Sequence, residues 1–447
     1  MPVAKLKDKE YVLKSARDHG VKFIRLWFTD ILGFLKNVAI TIEELEEALE
    51  EGVGFDGSSI EGFTRVQESD MIALPDPNTF AILPWRPKEN AVARMFCDIV
   101  KPGGEPFEGD PRYILKRNLK KAAELGYNFY VGPELEHFYF KASDDPTPLD
   151  AGGYFDLTPL DLATDLRRET ILAMEELGVG VEFSHHEVAP SQHEIDFRYA
   201  DALTMADNVM TYRLVIKEIA LKNGVYATFM PKPLAGENGS GMHLNISLFQ
   251  GERNAFFDPK DPAHLSSVAK KFLAGLLRYA REFTVVTNQW VNSYKRLTPG
   301  YEAPVYVTWA LTNRADLVRI PRTKPGKESA SRLELRSPDP ACNPYLVFSA
   351  ILAAGLEGLK SEKPISLPAA AETNVAGLTE EERRRKGIQA LPRDLGEAIE
   401  AAEGSALLRR ALGDHIFTSF LQNKRIEWER YRSAVTDFEL KTYLPLL

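Results

Sequence analysis

Cysteine is nearly absent: Cys97 and Cys342 are the only two in a chain of 447 residues. Two thiols cannot build a disulfide framework, so stability must come from packing, and a reducing compartment is expected. Long runs of one charge are also missing. Lys and Arg total 55 against 64 Asp and Glu, a formal net charge of −9, which makes nucleic acid and anionic membrane poor partners. The longest apolar run, around Tyr345 to Leu356, falls short of the ~18 residues that a spanning helix needs. The N-terminal stretch MPVAKLKDKEYVLKSARDHG has no apolar signal core, so a cytoplasmic protein is expected. No His pair at the one-turn spacing of zinc proteases occurs. Gly52, Gly54 and Gly57 match the dinucleotide glycine pattern, but they follow a helical stretch and enter a Gly-rich loop, the reverse of the strand-then-helix context. The stretch GENGSGMH lacks the Lys-Ser/Thr ending of a phosphate-binding loop.

What is present is an ordinary globular composition, 44% hydrophobic and 27% charged, in a chain longer than one core usually grows. Two domains are expected, 1–105 and 106–447, divided at the Pro/Gly-rich VKPGGEPFEGDP. The first has an amphipathic helix over 9–18, strands in VKFIRLWFTD and LKNVAI, and a helix after Thr41, with Glu44 completing a capping box. The second alternates helices (about 111–125, 162–177, 201–222, 265–281 and 343–360) with strands (about 128–140, 180–188, 193–197, 241–249 and 332–336). The fold class is α+β, with one sheet able to face a site.

The strand VGPELEHFYF places Glu134 and Glu136 two apart, on one face. Either that face is wet or the acids are buried. If buried, two charges ~4 Å apart at an effective dielectric of about 20 repel by roughly 4 kcal/mol, so one protonates unless a cation holds them. SHHEVAPSQHEIDF has the same character, with Glu187 ending one strand and Glu194 starting the next. Its histidines, His185, His186 and His193, are tempting ligands, but a strand histidine is more often packed than metal-bound. Further on, His243 and Asn245 share a strand face, as do Glu334 and Arg336. Oxygen-dominated sets of this kind select Mg²⁺ or Mn²⁺. With arginines at 296, 314, 319, 332 and 336, the pattern is that of phosphoryl transfer.

These residues stand in long motifs: FDGSSIEGF, ESDM, HHEVAPSQHEIDF, ATFMPKPL, NGSGMH, VNSYKRLTPGYEAPVY and ELRSPDPACNPY. Through them, from about residue 21 to 359, the chain resembles the type I glutamine synthetases of bacteria and archaea. The resemblance implies a small N-terminal β-grasp domain and a C-terminal catalytic domain of the glutamine synthetase and guanido kinase type. It also implies a homododecamer of two stacked hexameric rings, with each site shared by neighbouring subunits.

Carried onto this sequence, the resemblance gives one Mg²⁺ or Mn²⁺ ion to Glu136, Glu187 and Glu194, and a second to Glu134, His243 and Glu334. Asn238, Gly239, His243, Arg296 and Arg336 fall at glutamate positions, and Glu182, Tyr199, Ser247, Arg319 and Arg332 at ATP positions. Arg314 corresponds to the residue that stabilises the transferring phosphoryl group. Asp56 corresponds to the acid that takes a proton from ammonium, and Glu302 to the acid of a closing flap. Between Arg319 and Arg332 the chain is longer and more basic than the family pattern. No tyrosine lies between Tyr345 and Tyr431, so the adenylylated tyrosine of one subgroup is missing. Arg65 resembles instead the arginine linked to glutamine feedback in the non-adenylylated subgroup. The implied reaction joins ammonia to the γ-carboxylate of L-glutamate through γ-glutamyl phosphate, with ATP consumed. Two rivals differ from it: a ligase of the same fold using a polyamine or another amine, and a ring-forming relative without catalysis.

Overall fold

The computed structural model describes residues 7–63, 70–371 and 375–447. The helix Lys9–Asp18 starts where Asp8 accepts from the Tyr11 amide at 2.8 Å, and it buries Val12 and Ala16, one turn apart. It packs on a sheet of β1 (Val21–Thr29), β2 (Leu35–Thr41), β3 (Val53–Asp56), β4 (Asp70–Pro75), β5 (Ala81–Ile82) and β6 (Ala91–Val100). The order is β2-β1-β6-β4-β3 with β5 beside β6, and only the β1–β6 pair is parallel. Alternation along the strands divides their side chains between two cores. Ile24, Leu26, Ala93 and Met95 join the small domain's own core, whereas Trp27 and Phe96 enter that of the larger domain.

Two local expectations change here. The Gly-rich stretch is not a loop throughout, because Val53–Asp56 pairs with β4 and only Gly57–Ile60 turns, as a 3-10 helix. Gly52, at φ 77°, ends the preceding helix Leu45–Glu51. The capping box at Thr41 is not made: Thr41 precedes a single 3-10 turn, Ile42–Glu44, with no side-chain cap bond. A 3-10 turn closes its hydrogen bonds three residues back, which leaves the hydroxyl no open amide at that spacing.

The larger domain is built on β7 (Asn128–Phe140), β8 (Val181–His186), β9 (Gln192–Phe197), β10 (Ala200–Asp201), β11 (Tyr226–Thr228) and β12 (Met242–Gln250). It continues through β13 (Arg253–Asn254), β14 (Trp309–Ala310), β15 (Val318–Arg319) and β16 (Leu333–Leu335). The path is β14-β15-β16-β12-β7-β9-β8, with β10 and β11 beside β7 and β13 beside β12. The five expected helices are Pro111–Glu124, Thr164–Glu176, Ala202–Lys222, Ser267–Thr287 and Pro344–Lys360. The last two touch through glycine. A Cβ on Gly275 would lie 2.2 Å from the Ala354 carbonyl oxygen, and one on Gly358 2.1 Å from that of Lys271. The overall class is α+β. Among the described residues no helix is long and apolar enough to cross a membrane.

A buried arginine joins the domains. Arg112 donates to Asp98 at 2.7 Å and Asp76 at 2.8 Å in the small domain, and to both oxygens of Asp207 at 3.1 and 3.0 Å in the large one. The Tyr345 hydroxyl adds a 2.6 Å bond to Asp207. Three carboxylates surround one cation, which is how such a group can be taken out of water.

Candidate active site

The strand register assembles the acids. On β7 and β9 the directly opposed pairs are Glu134 with Asp196 and Glu136 with Glu194, while His185 on β8 lies opposite Glu194. On the other side of β7, His243 of β12 faces Glu134, and next along the sheet Asn245 faces Glu334 of β16. Residues two apart on these strands leave the same face, so four strands deliver their polar side chains to one place. The sheet is buried there: Glu136, Glu194, His243 and Glu334 are each at most 7% exposed.

Each acid meets a different environment. Glu136 Oε2 accepts from Gln192 at 2.8 Å and from the Gly241 amide at 3.0 Å. Glu134 Oε1 accepts from Asn245 at 2.7 Å, and its Oε2 lies 3.3 Å from His243 Nδ1. Glu187, just past β8, is 2.7 Å from His185 Nε2. Glu334 is clamped by Arg319, at 2.5 Å, and by Arg336. Burial, then the Glu187 charge, pushes Glu136 up to about 8. Burial and Glu134 push Asp196 up to about 8, and burial with Asp196 and Glu136 raises Glu194 well above the carboxylate range. His243 is driven well below its ordinary value by burial and by Arg336, so its imidazole is neutral. With Nδ1 donating to Glu134, its Nε2 keeps a lone pair towards Glu136, 3.9 Å away.

The donor set fits a hard divalent cation: mostly carboxylate oxygens, one neutral imidazole, and acids that must otherwise hold protons. Glu134, Glu194 and His243 present ligand atoms within 4.8 Å of one another, as do His185, Glu187 and Glu194. This grouping differs from the sequence expectation. Glu334 is engaged by two arginines and Glu136 by an amide and a glutamine, whereas His185 stands with Glu187 and Glu194. Only cross-strand register distinguishes these arrangements, and spacing along one strand does not carry it.

A further group, Asp150, His186 and His193, also lies within such distances, and there the protein itself engages most of the donors and acceptors. His186 Nδ1 is 2.7 Å from the Glu187 carbonyl oxygen and must donate to it, while Nε2 is 3.0 Å from Asp150. His193 Nδ1 is 2.7 Å from an Arg167 nitrogen, a donor only, so the proton of the neutral ring is on Nε2. Asp150 also accepts from the Ser191 amide at 2.9 Å. The group braces the turn between Glu187 and Glu194, with both rings buried.

Three recesses surround the acids. Glu182, Tyr199, Ser247 and Arg332 line a cleft of about 230 Å³ together with Glu134 and Asp196. Arg332 donates to Asn245 at 2.7 Å there, whereas Arg319 is drawn to Glu334. Asn238, Gly239, His243, Arg296 and Arg336 surround a small recess beside Glu136, with Glu302 at its mouth. Arg314 and Glu302 share the wider opening outside it. Arg296 is held by the carbonyl oxygens of Ser337 at 2.7 Å and Arg336 at 3.1 Å. Its approach requires glycine: a Cβ on Gly241 would lie 2.5 Å from Arg296 Nη2 and 2.9 Å from His243 Nε2. Asp56 ends the edge strand β3, its carboxylate accepting from the Ser58 amide at 2.9 Å and hydroxyl at 2.8 Å. It lines none of these three recesses. Arg65 lies outside the described residues. Sequence reasoning missed Gln192 and Asp196, although the alternation that selects Glu194 also selects Asp196.

Comparisons with known proteins agree along the whole chain. A family model described as "Glutamine synthetase, catalytic domain" matches residues 108–443, and one described as "Glutamine synthetase, beta-Grasp domain" matches 20–102. A glutamine synthetase of Mycolicibacterium smegmatis is 56% identical, with 98% of this chain and 100% of the relative covered. Those of Methanosarcina mazei and Staphylococcus aureus are 54% and 49% identical, with 98% of each chain covered. Among solved structures, one described as "GmaS/ADP complex-Conformation 1" superposes with a TM-score of 0.87 at 33% identity, covering 97% of this chain and 99% of the other.

Proposed function

The chain belongs to the glutamine synthetase family and is a glutamine-forming enzyme that uses ATP and divalent metal, and from that premise we propose how its own residues carry out the reaction. The observation that supports the proposal is the buried acid face shared by β7, β9, β12 and β16, bordered by arginines and opening on a cleft.

Glu136, Glu187 and Glu194 would hold one Mg²⁺ or Mn²⁺ ion and Glu134, His243 and Glu334 a second, with His185 supporting Glu187. When bound, such ions screen the phosphate charges of ATP and the developing charge of the transferring group. Glu182, Tyr199, Ser247 and Arg332 hold the nucleotide, and Arg319 reaches it from beside Glu334. The neighbour described as an ADP complex supports a nucleotide site in this fold. Asn238, Gly239, His243, Arg296 and Arg336 orient L-glutamate with its γ-carboxylate towards the acids.

A carboxylate does not accept ammonia directly, because oxide would have to leave. Its oxygen therefore attacks the γ-phosphorus of ATP, ADP departs, and Arg314 offsets charge on the phosphoryl group in flight. Ammonium gives a proton to Asp56, contributed by the neighbouring subunit, and the resulting ammonia attacks the γ-carbonyl. Phosphate leaves with the bonding pair, and Glu302 takes up or stabilises the remaining proton. The segment carrying Glu302 closes the opening and keeps water from the acyl phosphate.

We place the domain boundary near residue 105, the assembly as a dodecamer of two hexameric rings, the location as cytoplasmic, and Arg65 in feedback by glutamine. The experiment is phosphate release and glutamine formation from glutamate, ATP, Mg²⁺ and ammonium, repeated with putrescine in place of ammonium. Glutamine formed only with ammonium supports the reading. Turnover with the polyamine alone, or none with either, refutes it.

A further inference from the structure

One buried acid of the cluster has no task in that scheme. Asp196 stands on β9 two residues beyond Glu194 and directly opposite Glu134, and it is 5% exposed. It lines the same cleft as Glu134, Asn245 and Ser247. The charges that bear on it come from acids, Glu134, Glu187 and Glu182, and the Glu194 carboxyl shares a hydrogen bond with it. Its Oδ1 is buried without a hydrogen-bond partner. Glu134, Glu136 and Glu334 differ in this respect, since each has protein donors. A buried carboxylate oxygen that lacks a donor at the wall of a cleft, among groups of its own sign, suits something positive or water ordered by it.

Resting on the cation-site reading above, we propose that Asp196 is a further cation-binding carboxylate, acting with Glu134 and His243 by accepting from the water shell of the divalent ion on the nucleotide side. Its oxygens are not part of the group whose ligand atoms lie within 4.8 Å, which favours contact through water over direct ligation. Magnesium suits such contact, because it gives up its waters reluctantly and is often held through them. Partners of this outer kind govern affinity, and their loss typically weakens metal binding about 10–100-fold.

The test is a Mn²⁺ titration of the full-length protein without nucleotide, following free Mn²⁺ by electron paramagnetic resonance, for the unaltered chain, Asp196→Asn and Glu134→Gln. Asn keeps the shape of the side chain and removes one charge from a buried acidic cluster, so the apoprotein's melting temperature should hold or rise. Mn²⁺ binding about tenfold weaker in D196N, alongside weakened binding in E134Q, supports the inference. Unchanged affinity in D196N with weakened affinity in E134Q overturns it and leaves the cation site standing. Unchanged affinity in both overturns the cation site and the inference together. Asp196→Ser, measured the same way, guards against a packing fault peculiar to Asn.

Discussion

The acid cluster should make cation binding and stability depend on pH in a defined direction. Glu136 and Asp196 are each pushed up to about 8 in the folded chain, whereas unfolded Glu and Asp titrate near 4. Between those limits the folded state holds more protons than the unfolded state, so stability falls as pH rises, by about 1.4 kcal/mol per pH unit for each proton retained. The carboxylates share one cavity, so a single retained proton is the conservative count. From pH 6 to pH 8, where the group is half titrated, the metal-free protein then loses about 2 kcal/mol. With an unfolding entropy of about 2.1 cal/mol/K per residue over 447 residues, this lowers the melting temperature by about 2 °C. A divalent cation takes the place of that proton. Saturating Mg²⁺ should therefore raise the melting temperature by about 2 °C more at pH 8 than at pH 6. Scanning calorimetry in EDTA and in Mg²⁺ at both values measures the difference, and histidines elsewhere, such as His186 and His415, cancel in it. The same Mg²⁺ gain at both pH values would refute the reasoning, since the acids would then be ionised without the ion.

Three further outcomes are expected. Glu134→Ala and Glu334→Ala should each lower glutamine formation at least about 100-fold and weaken Mn²⁺ binding, while His185→Ala, which removes a supporting contact to Glu187, should cost about tenfold or less; equal losses in steady-state assays count against the assignment. Gly241→Ala must displace the Arg296 guanidinium or the His243 ring, so kcat/KM for glutamate should fall about 100-fold, with at most about 3 kcal/mol lost in denaturant unfolding. If Asp56 serves the neighbouring subunit, Asp56→Asn and Glu334→Ala, each nearly inactive, should regain activity when their subunits are co-assembled, and mixtures that stay inactive would place Asp56 elsewhere.

The parts legible in the sequence were those written in local periodicity. The alternation of Glu134 with Glu136 marked one sheet face, and the helix expected at about 343–360 is found at Pro344–Lys360. Motif resemblance supplied roles for residues far apart in the chain. Pairing partners were not legible, because register belongs to two strands at once. Hence the link between Glu194 and His185, the reach of Arg319 to Glu334 and the pairing of Asp196 with Glu134 emerged only when the strands lay side by side. The failed capping box at Thr41 has a different cause: the residues fit the motif, but the first turn is too tight to use them. Tautomers are a third kind of hidden information. Nothing in the letters His186 and His193 reveals that one ring lies between a backbone carbonyl and Asp150 and that the other accepts from an arginine.

The arginine between the two domains bears on how catalysis is timed. Arg112 is neutralised from both sides at once, by Asp76 and Asp98 and by Asp207, and stripping partners from a buried charge of this kind costs about 3–5 kcal/mol. A hinge at that place would have to meet that cost in every turnover. The small domain is thus welded to the large one, so any gate for substrate and product falls to loops rather than to a hinge between the domains, in keeping with the flap role proposed for the stretch around Glu302, with the paired sheets as its fixed frame.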